Sequence, residues 1–159
     1  MSTIQKVALM FILVVVIQMH SSYSGFVVNM KRHVSIANGL GPSNTLTVHC
    51  RSKDTDLGER NVAYGQTYEW TFRDNLLEST LYWCCMWWYN HHELVWGNFE
   101  VHHASSDGHT YCQNIVKRAQ WDGLYYQLPD KFHNWVKKYE WTRGKQSNPN
   151  SIKAVFDNR

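Results

Sequence analysis

Apolar and polar residues alternate with a period of two over much of this chain, and no stretch sustains the 3.6-residue period of an amphipathic helix. Between Lys31 and Ala37, Val34 and Ile36 fall on one side; between Thr45 and Cys50, Leu46, Val48 and Cys50 oppose Thr45, Thr47 and His49. Each pattern predicts a half-buried strand. The turn-forming stretch Asn38-Gly39-Leu40-Gly41-Pro42-Ser43-Asn44 between them predicts a hairpin. Tyr68, Trp70 and Phe72 share one face of a third strand. Leu81 to Trp88 (LYWCCMWW) is apolar on both faces, as a central strand covered on both sides would be. Further strands are predicted over Val95 to His103, where Phe99 and Val101 oppose Asn98, Glu100 and His102, and over Tyr111 to Ala119, Gly123 to Leu128 and Trp135 to Trp141. About seven or eight short strands parted by turn-rich segments describe an all-β fold, a small antiparallel β-sandwich.

The two ends depart from this pattern. Val7 to Ile17 is an unbroken apolar run followed by Ser21, Ser22, Tyr23, Ser24 and Gly25. That is the layout of a secretory signal peptide, with cleavage expected after Ser24. The run is too short for the roughly 20 residues that span a bilayer, so the mature form is expected to carry no membrane span. Beyond Trp141, Arg143-Gly144-Lys145-Gln146-Ser147-Asn148-Pro149 is polar and breaks the alternation. The expected organisation is therefore a leader at 1–24, a sandwich at 25–142 and a loose polar tail at 143–159.

Composition narrows the function. The chain has 159 residues, room for one domain, with 16 Lys and Arg against 13 Asp and Glu. Removal of the leader takes one Lys and no acid. So mild and dispersed a positive charge argues against a nucleic-acid partner. Export also changes the reading of Cys50, Cys84, Cys85 and Cys112, since thiols in an oxidising compartment pair. A ring between the neighbours Cys84 and Cys85 is disfavoured because successive strand side chains point to opposite faces. Zinc is disfavoured too, because there is no Cys-x-x-Cys pair.

Candidate chemistry is thin. Asp54-Thr55-Asp56-Leu57-Gly58-Glu59 begins like a calcium loop, but the remaining oxygen ligands are missing at their spacings, which leaves a solvated loop whose aspartates bond their own backbone. His91-His92 lies in a connection that could approach His102-His103 across a hairpin, with His109 nearby. Adjacent strand residues diverge, however, and exposed imidazoles that gain charge on mild acidification are the simpler reading. No G-x-S-x-G nucleophile elbow is present. No catalytic residue, metal ligand or cofactor is assigned.

Four ordered motifs carry a resemblance. Val48-His49-Cys50-Arg51-Ser52-Lys53-Asp54-Thr55-Asp56-Leu57-Gly58, Tyr68-Glu69-Trp70-Thr71-Phe72, Thr80-Leu81-Tyr82-Trp83-Cys84 and Asp122-Gly123-Leu124-Tyr125 together resemble the plant self-incompatibility proteins, the S-protein homologues, from about Lys31 to Trp141. The resemblance implies a small, secreted, disulfide-supported β-sandwich without catalytic centre or cofactor. It also implies a signalling role: founding members are pistil-borne signals recognised by a pollen receptor. The sequence departs from the family where Cys-x-x-Cys usually precedes the Asp-Gly motif, placing Cys112 at the first position and Ile115 at the second, while Cys85 stands where a non-cysteine is usual. One disulfide is expected to involve Cys112, with Cys50, Cys84 or Cys85 as its partner.

The expected function is that of a secreted, monomeric, non-enzymatic ligand in cell–cell signalling, read through its loops by an unidentified cell-surface protein receptor. The candidate contact residues are Lys53, Asp54, Asp56, Glu59, Arg73, His91 and His92. The alternative is a carbohydrate-binding module using exposed Trp, drawn from Trp83, Trp87, Trp88, Trp96, Trp121, Trp135 and Trp141. A planar row of exposed indoles would favour sugar, and buried indoles with polar loops a protein partner.

Overall fold

The computed structural model describes residues 31–75, 79–107, 113–129 and 132–144, with isolated positions at 4–6, 10–12, 15, 150, 151 and 154. Among the described residues ten strands follow one another: β1 (Lys31–Asn38), β2 (Leu46–Arg51), β3 (Asp56–Val62), β4 (Thr67–Arg73), β5 (Leu81–Asn90), β6 (Glu93–His103), β7 (Asn114–Gln120), β8 (Gly123–Gln127), β9 (Trp135–Tyr139) and β10 (Thr142–Arg143). A four-residue helix α1 (Ala104–Asp107) follows β6. The strands form two five-stranded sheets, in the orders β4-β1-β7-β8-β9 and β10-β6-β5-β2-β3. Pairing is antiparallel except between β1 and β7. The β-sandwich read from the alternation is the architecture found. Among the described residues no helix is long and apolar enough to cross a membrane.

The alternating side chains meet between the sheets. Val34 and Ile36 of β1 pack in one cluster with Leu46, Val48 and Cys50 of β2, Cys84, Met86 and Trp88 of β5, Phe99 of β6 and Leu124 of β8. The even-numbered residues of LYWCCMWW thus fill the interior, and β5 lies in the middle of its sheet as the two-faced apolarity required. Its odd-numbered residues build a second cluster on the outward face. There Cys85, Trp87 and Leu94 are buried and Trp83 and Trp96, half-buried, pack against them.

The predicted hairpin between the first two strands is not formed. β1 pairs with β4 and β7, and β2 with β3 and β5, so the two belong to different sheets and meet face to face across the core. Two strands with one apolar face each can bury it in either way, and the seven-residue connection is long enough to cross the roughly 10 Å between sheets. Leu40 is buried along that crossing. Asn38 fixes it, with Nδ2 donating to the carbonyls of Asn44 (2.9 Å) and Val62 (2.8 Å) and Oδ1 accepting from Leu40 N (3.0 Å).

Two further strands escaped the pattern. Asp56–Val62, read as part of a polar loop, is the edge strand β3, largely exposed except at Val62. A strand paired on one side and facing water needs no apolar stripe, so the alternation that marks a strand is missing. Arg143, expected in a loose tail, instead pairs with Val95 in β10. The leader lies mostly outside the described residues, as does most of the tail beyond Gly144.

Candidate functional site: a clefted end of the sandwich

Pairing registers sort the loops into two groups. At one end lie the β2–β3 turn, the β4–β5 connection and the starts of β1, β7 and β9. At the other lie the β1–β2 crossing, the β5–β6 turn and the β7–β8 turn. The candidate contact residues are divided accordingly. Lys53, Asp54 and Asp56 share the first end with Arg73, which closes β4 opposite Lys31. Glu59 is exposed on β3, opposite His49. His91 and His92 form the β5–β6 turn at the other end, His91 with a positive φ of 55°. Since β6 pairs with β5 from Glu93 at Asn90 to His103 at Leu81, His91-His92 and His102-His103 stand roughly 30 Å apart and cannot share an ion. His109 lies outside the described residues.

Residues 51–56 and Trp83 line an open cleft of about 470 Å³ at the first end. The Arg51 guanidinium sits 5.4 Å from the centre of the Trp83 ring. The turn is held locally: Ser52 N donates to Thr55 O (2.8 Å), and Thr55 N to the Ser52 hydroxyl (3.2 Å). Asp56 Oδ1 accepts from Gly58 N (2.7 Å) and lies 2.7 Å from His49 Nε2. The Gly58 N–H, with a smaller contribution from His49, holds the Asp56 carboxyl below its ordinary pKa. Lys53 and Asp54 project into solvent beside it. Alternation singled out neither Arg51 nor Trp83 as cleft lining; their cross-strand register does.

Two interior constraints lie beneath this end. Cys50 of β2 and Cys84 of β5 are register partners and form a disulfide (S–S 1.96 Å) immediately before the Arg51–Trp83 pair. The expected bridge from Cys112 to Cys50 or Cys84 is therefore ruled out. The reason is that β2 and β5 are direct neighbours whose inward positions coincide. Cys85 points to the outward cluster as a buried thiol, and Cys112 lies outside the described residues.

The second constraint is a buried charge cluster. Arg32 of β1 is 3% exposed, Asp74 after β4 is 7% and His102 of β6 is 1%. Arg32 Nε donates to Asp74 Oδ2 (2.6 Å), and His102 Nε2 lies 2.7 Å from Asp74 Oδ1. Burial raises the Asp74 pKa, but the His102 and Arg32 hydrogen bonds outweigh it, and the carboxyl titrates below its ordinary value. The Asp74–His102 dyad has the composition of acid–base machinery. Sealed between the sheets, it serves as a clamp joining both sheets to the β4–β5 connection. Among the described residues no group of three or more His, Cys, Asp or Glu could hold a metal ion.

The indoles do not form an exposed row. Of the eight tryptophans, Trp87, Trp88 and Trp141 are buried, four are half-buried and Trp121 alone is exposed, at 47%.

Fold and site together define a small disulfide-bridged β-sandwich with loops clustered at two ends. A family model described as "Plant self-incompatibility protein S1" matches residues 33–141. The chain belongs to this family, as the four motifs implied. S-protein homolog 1 of Arabidopsis thaliana is 36% identical over 95 residues, covering 58% of this chain and 60% of its own length. S-protein homolog 29 of the same plant is 38% identical over 109 residues, covering 68% and 76% respectively. The matched region thus spans about 60% of the first of these relatives. A solved structure described as that of SPH (Self-Incompatibility Protein Homologue) proteins, "a widespread family of small, highly stable, secreted proteins from plants", superposes with a TM-score of 0.56 at 23% identity. It covers 73% of this chain and 97% of the solved one, and it shows the shared fold.

Proposed function

We propose that this chain is exported, loses residues 1–24, and acts outside the cell as a monomeric, non-enzymatic ligand whose clefted end is read by a receptor protein on a cell surface. The observation that carries this reading is the pairing of a mixed-charge rim, Lys53, Asp54 and Asp56 beside Arg51, with the rigid support directly under it. Charged groups on a braced turn meet a complementary partner at a reduced backbone ordering cost, and they act chiefly on association rate. Family membership supports a signalling role, and the buried position of the Asp74–His102 dyad supports a non-catalytic one.

The test is binding of the secreted protein to intact plant cells, compared between wild type, Lys53→Glu and Asp54→Lys. Both variants should keep the wild-type melting temperature and shift the association rate several-fold in opposite directions, an effect that fades with added salt. Unchanged association in both variants would overturn the assignment of this end.

A further inference from the structure

The β7–β8 turn, at the end opposite the cleft, presents Trp121 in a way no other tryptophan is presented. Its backbone is held from both sides: Trp141 Nε1 donates to Gln120 O (2.6 Å) and Arg143 Nη2 to Trp121 O (2.7 Å). Its ring is backed by buried Trp88, with centroids 4.8 Å apart, and the Arg143 guanidinium lies 5.5 Å from its centre. The following residue is equally fixed, since Asp122 Oδ2 accepts from the Tyr125 hydroxyl (2.8 Å) and pairs with Lys137 Nζ (3.3 Å). A Cβ on Gly123 would overlap the Tyr139 carbonyl, so only glycine lets β8 approach β9 here.

An exposed, immobilised indole has already lost the rotamer freedom that binding would otherwise cost. What surrounds it selects the ligand. The rim is charged, and its two cations are both engaged by carboxylates: Arg143 faces Glu93 at 3.9 Å, and Lys137 faces both Asp122 and Glu140 at 3.3 Å. Because Arg143 and Lys137 are already engaged by carboxylates of this chain, the rim offers a protein partner few uncompensated charges to pair with, unlike the rim of the cleft. An anionic ligand would meet three carboxylates against two cations, a net negative rim that repels it. A neutral sugar suits both features: its C–H face stacks on the indole while its hydroxyls, donors and acceptors at once, replace the water around carboxylates and guanidinium.

We propose that Trp121, with Asp122 and Arg143 at its rim, is the stacking platform of a binding site for neutral, β-linked, gluco-configured oligosaccharides, whose all-equatorial rings present flat C–H faces. The site is separate from the receptor-binding end.

The experiment is titration of the whole secreted protein with cellohexaose and laminarihexaose, followed by tryptophan emission and calorimetry. Binding should shift the emission and reduce the fraction quenched by iodide, because Trp121 is the exposed indole. Trp121→Ala should weaken binding about tenfold or more, with Trp121→Phe intermediate. Lys53→Glu should bind the sugars as wild type does, which separates this site from the receptor reading. Because the iodide measurement uses the native protein, it stands even if Trp121→Ala misfolds. The inference is overturned if neither hexaose changes emission or heat up to millimolar concentration, or if a folded Trp121→Ala binds them unchanged. It is equally overturned if Trp121→Ala loses attachment to cells while no sugar binds, which would make Trp121 a protein contact.

Discussion

His102 Nε2 and Asp74 Oδ1 lie 2.7 Å apart, joining a strand of one sheet to the connection that leaves the other. With Arg32 Nε on the second carboxylate oxygen, Asp74 joins two buried basic side chains at once. Asp74→Asn should therefore destabilise the domain by about 3 to 5 kcal/mol, because it removes the buried carboxylate charge that both Arg32 and His102 contact. Thermal unfolding would show a melting temperature lower by roughly ten degrees or more.

Acid should act on the same carboxylate. Its folded pKa lies below the unfolded value of about 3.9, so its stabilisation is complete above that value and is lost as pH falls through the folded pKa. Circular dichroism melts from about pH 6 to about pH 2 should show wild-type stability falling on the acid side. The loss should be visibly shallower in Asp74→Asn.

Disulfide mapping of the native protein should recover a peptide pair linking Cys50 to Cys84, 34 residues apart in sequence. Closing a loop of that size constrains the unfolded chain by about 4 kcal/mol in the entropic account. Cys50→Ser should lose stability of that order, whereas Cys112→Ser should leave this bridge in place.

Trp88 and Trp83 share a strand yet face opposite ways, and truncation should tell them apart. Trp88→Ala removes a fully buried ring and should cost about 3 to 5 kcal/mol. Trp83, half-buried on the outward face beside Arg51, should cost about half as much or less. Paired urea titrations would check the ranking.

Gly97 lies under the Phe99 ring, which itself packs against Tyr139 (5.3 Å) and Trp141 (5.2 Å). A Cβ there would fall inside the ring's van der Waals envelope, and the two neighbours leave the ring little room to move aside. Gly97→Ala should overpack the core and lose about 1 to 3 kcal/mol, read as a lower urea midpoint at unchanged slope.

Much of this protein was legible in the linear pattern, because strand periodicity is local: whether Val34 and Ile36, or Leu46 and Val48, share a face depends only on their spacing. That sufficed for the sandwich and for the central place of β5, and four short motifs sufficed for the family. What faces what was another matter. Whether β1 and β2 lie side by side or face to face, which cysteine meets Cys50, and whether Asp56 sits in a loop or on an edge strand all depend on pairings between segments tens of residues apart. The burial of Arg32, Asp74 and His102 was invisible for the same reason, since charged residues read as solvent-facing until a fold brings them together. Likewise composition supplied eight tryptophans, and only the packing of the two sheets decided that seven would be buried or half-buried and that Trp121 would be held out to solvent.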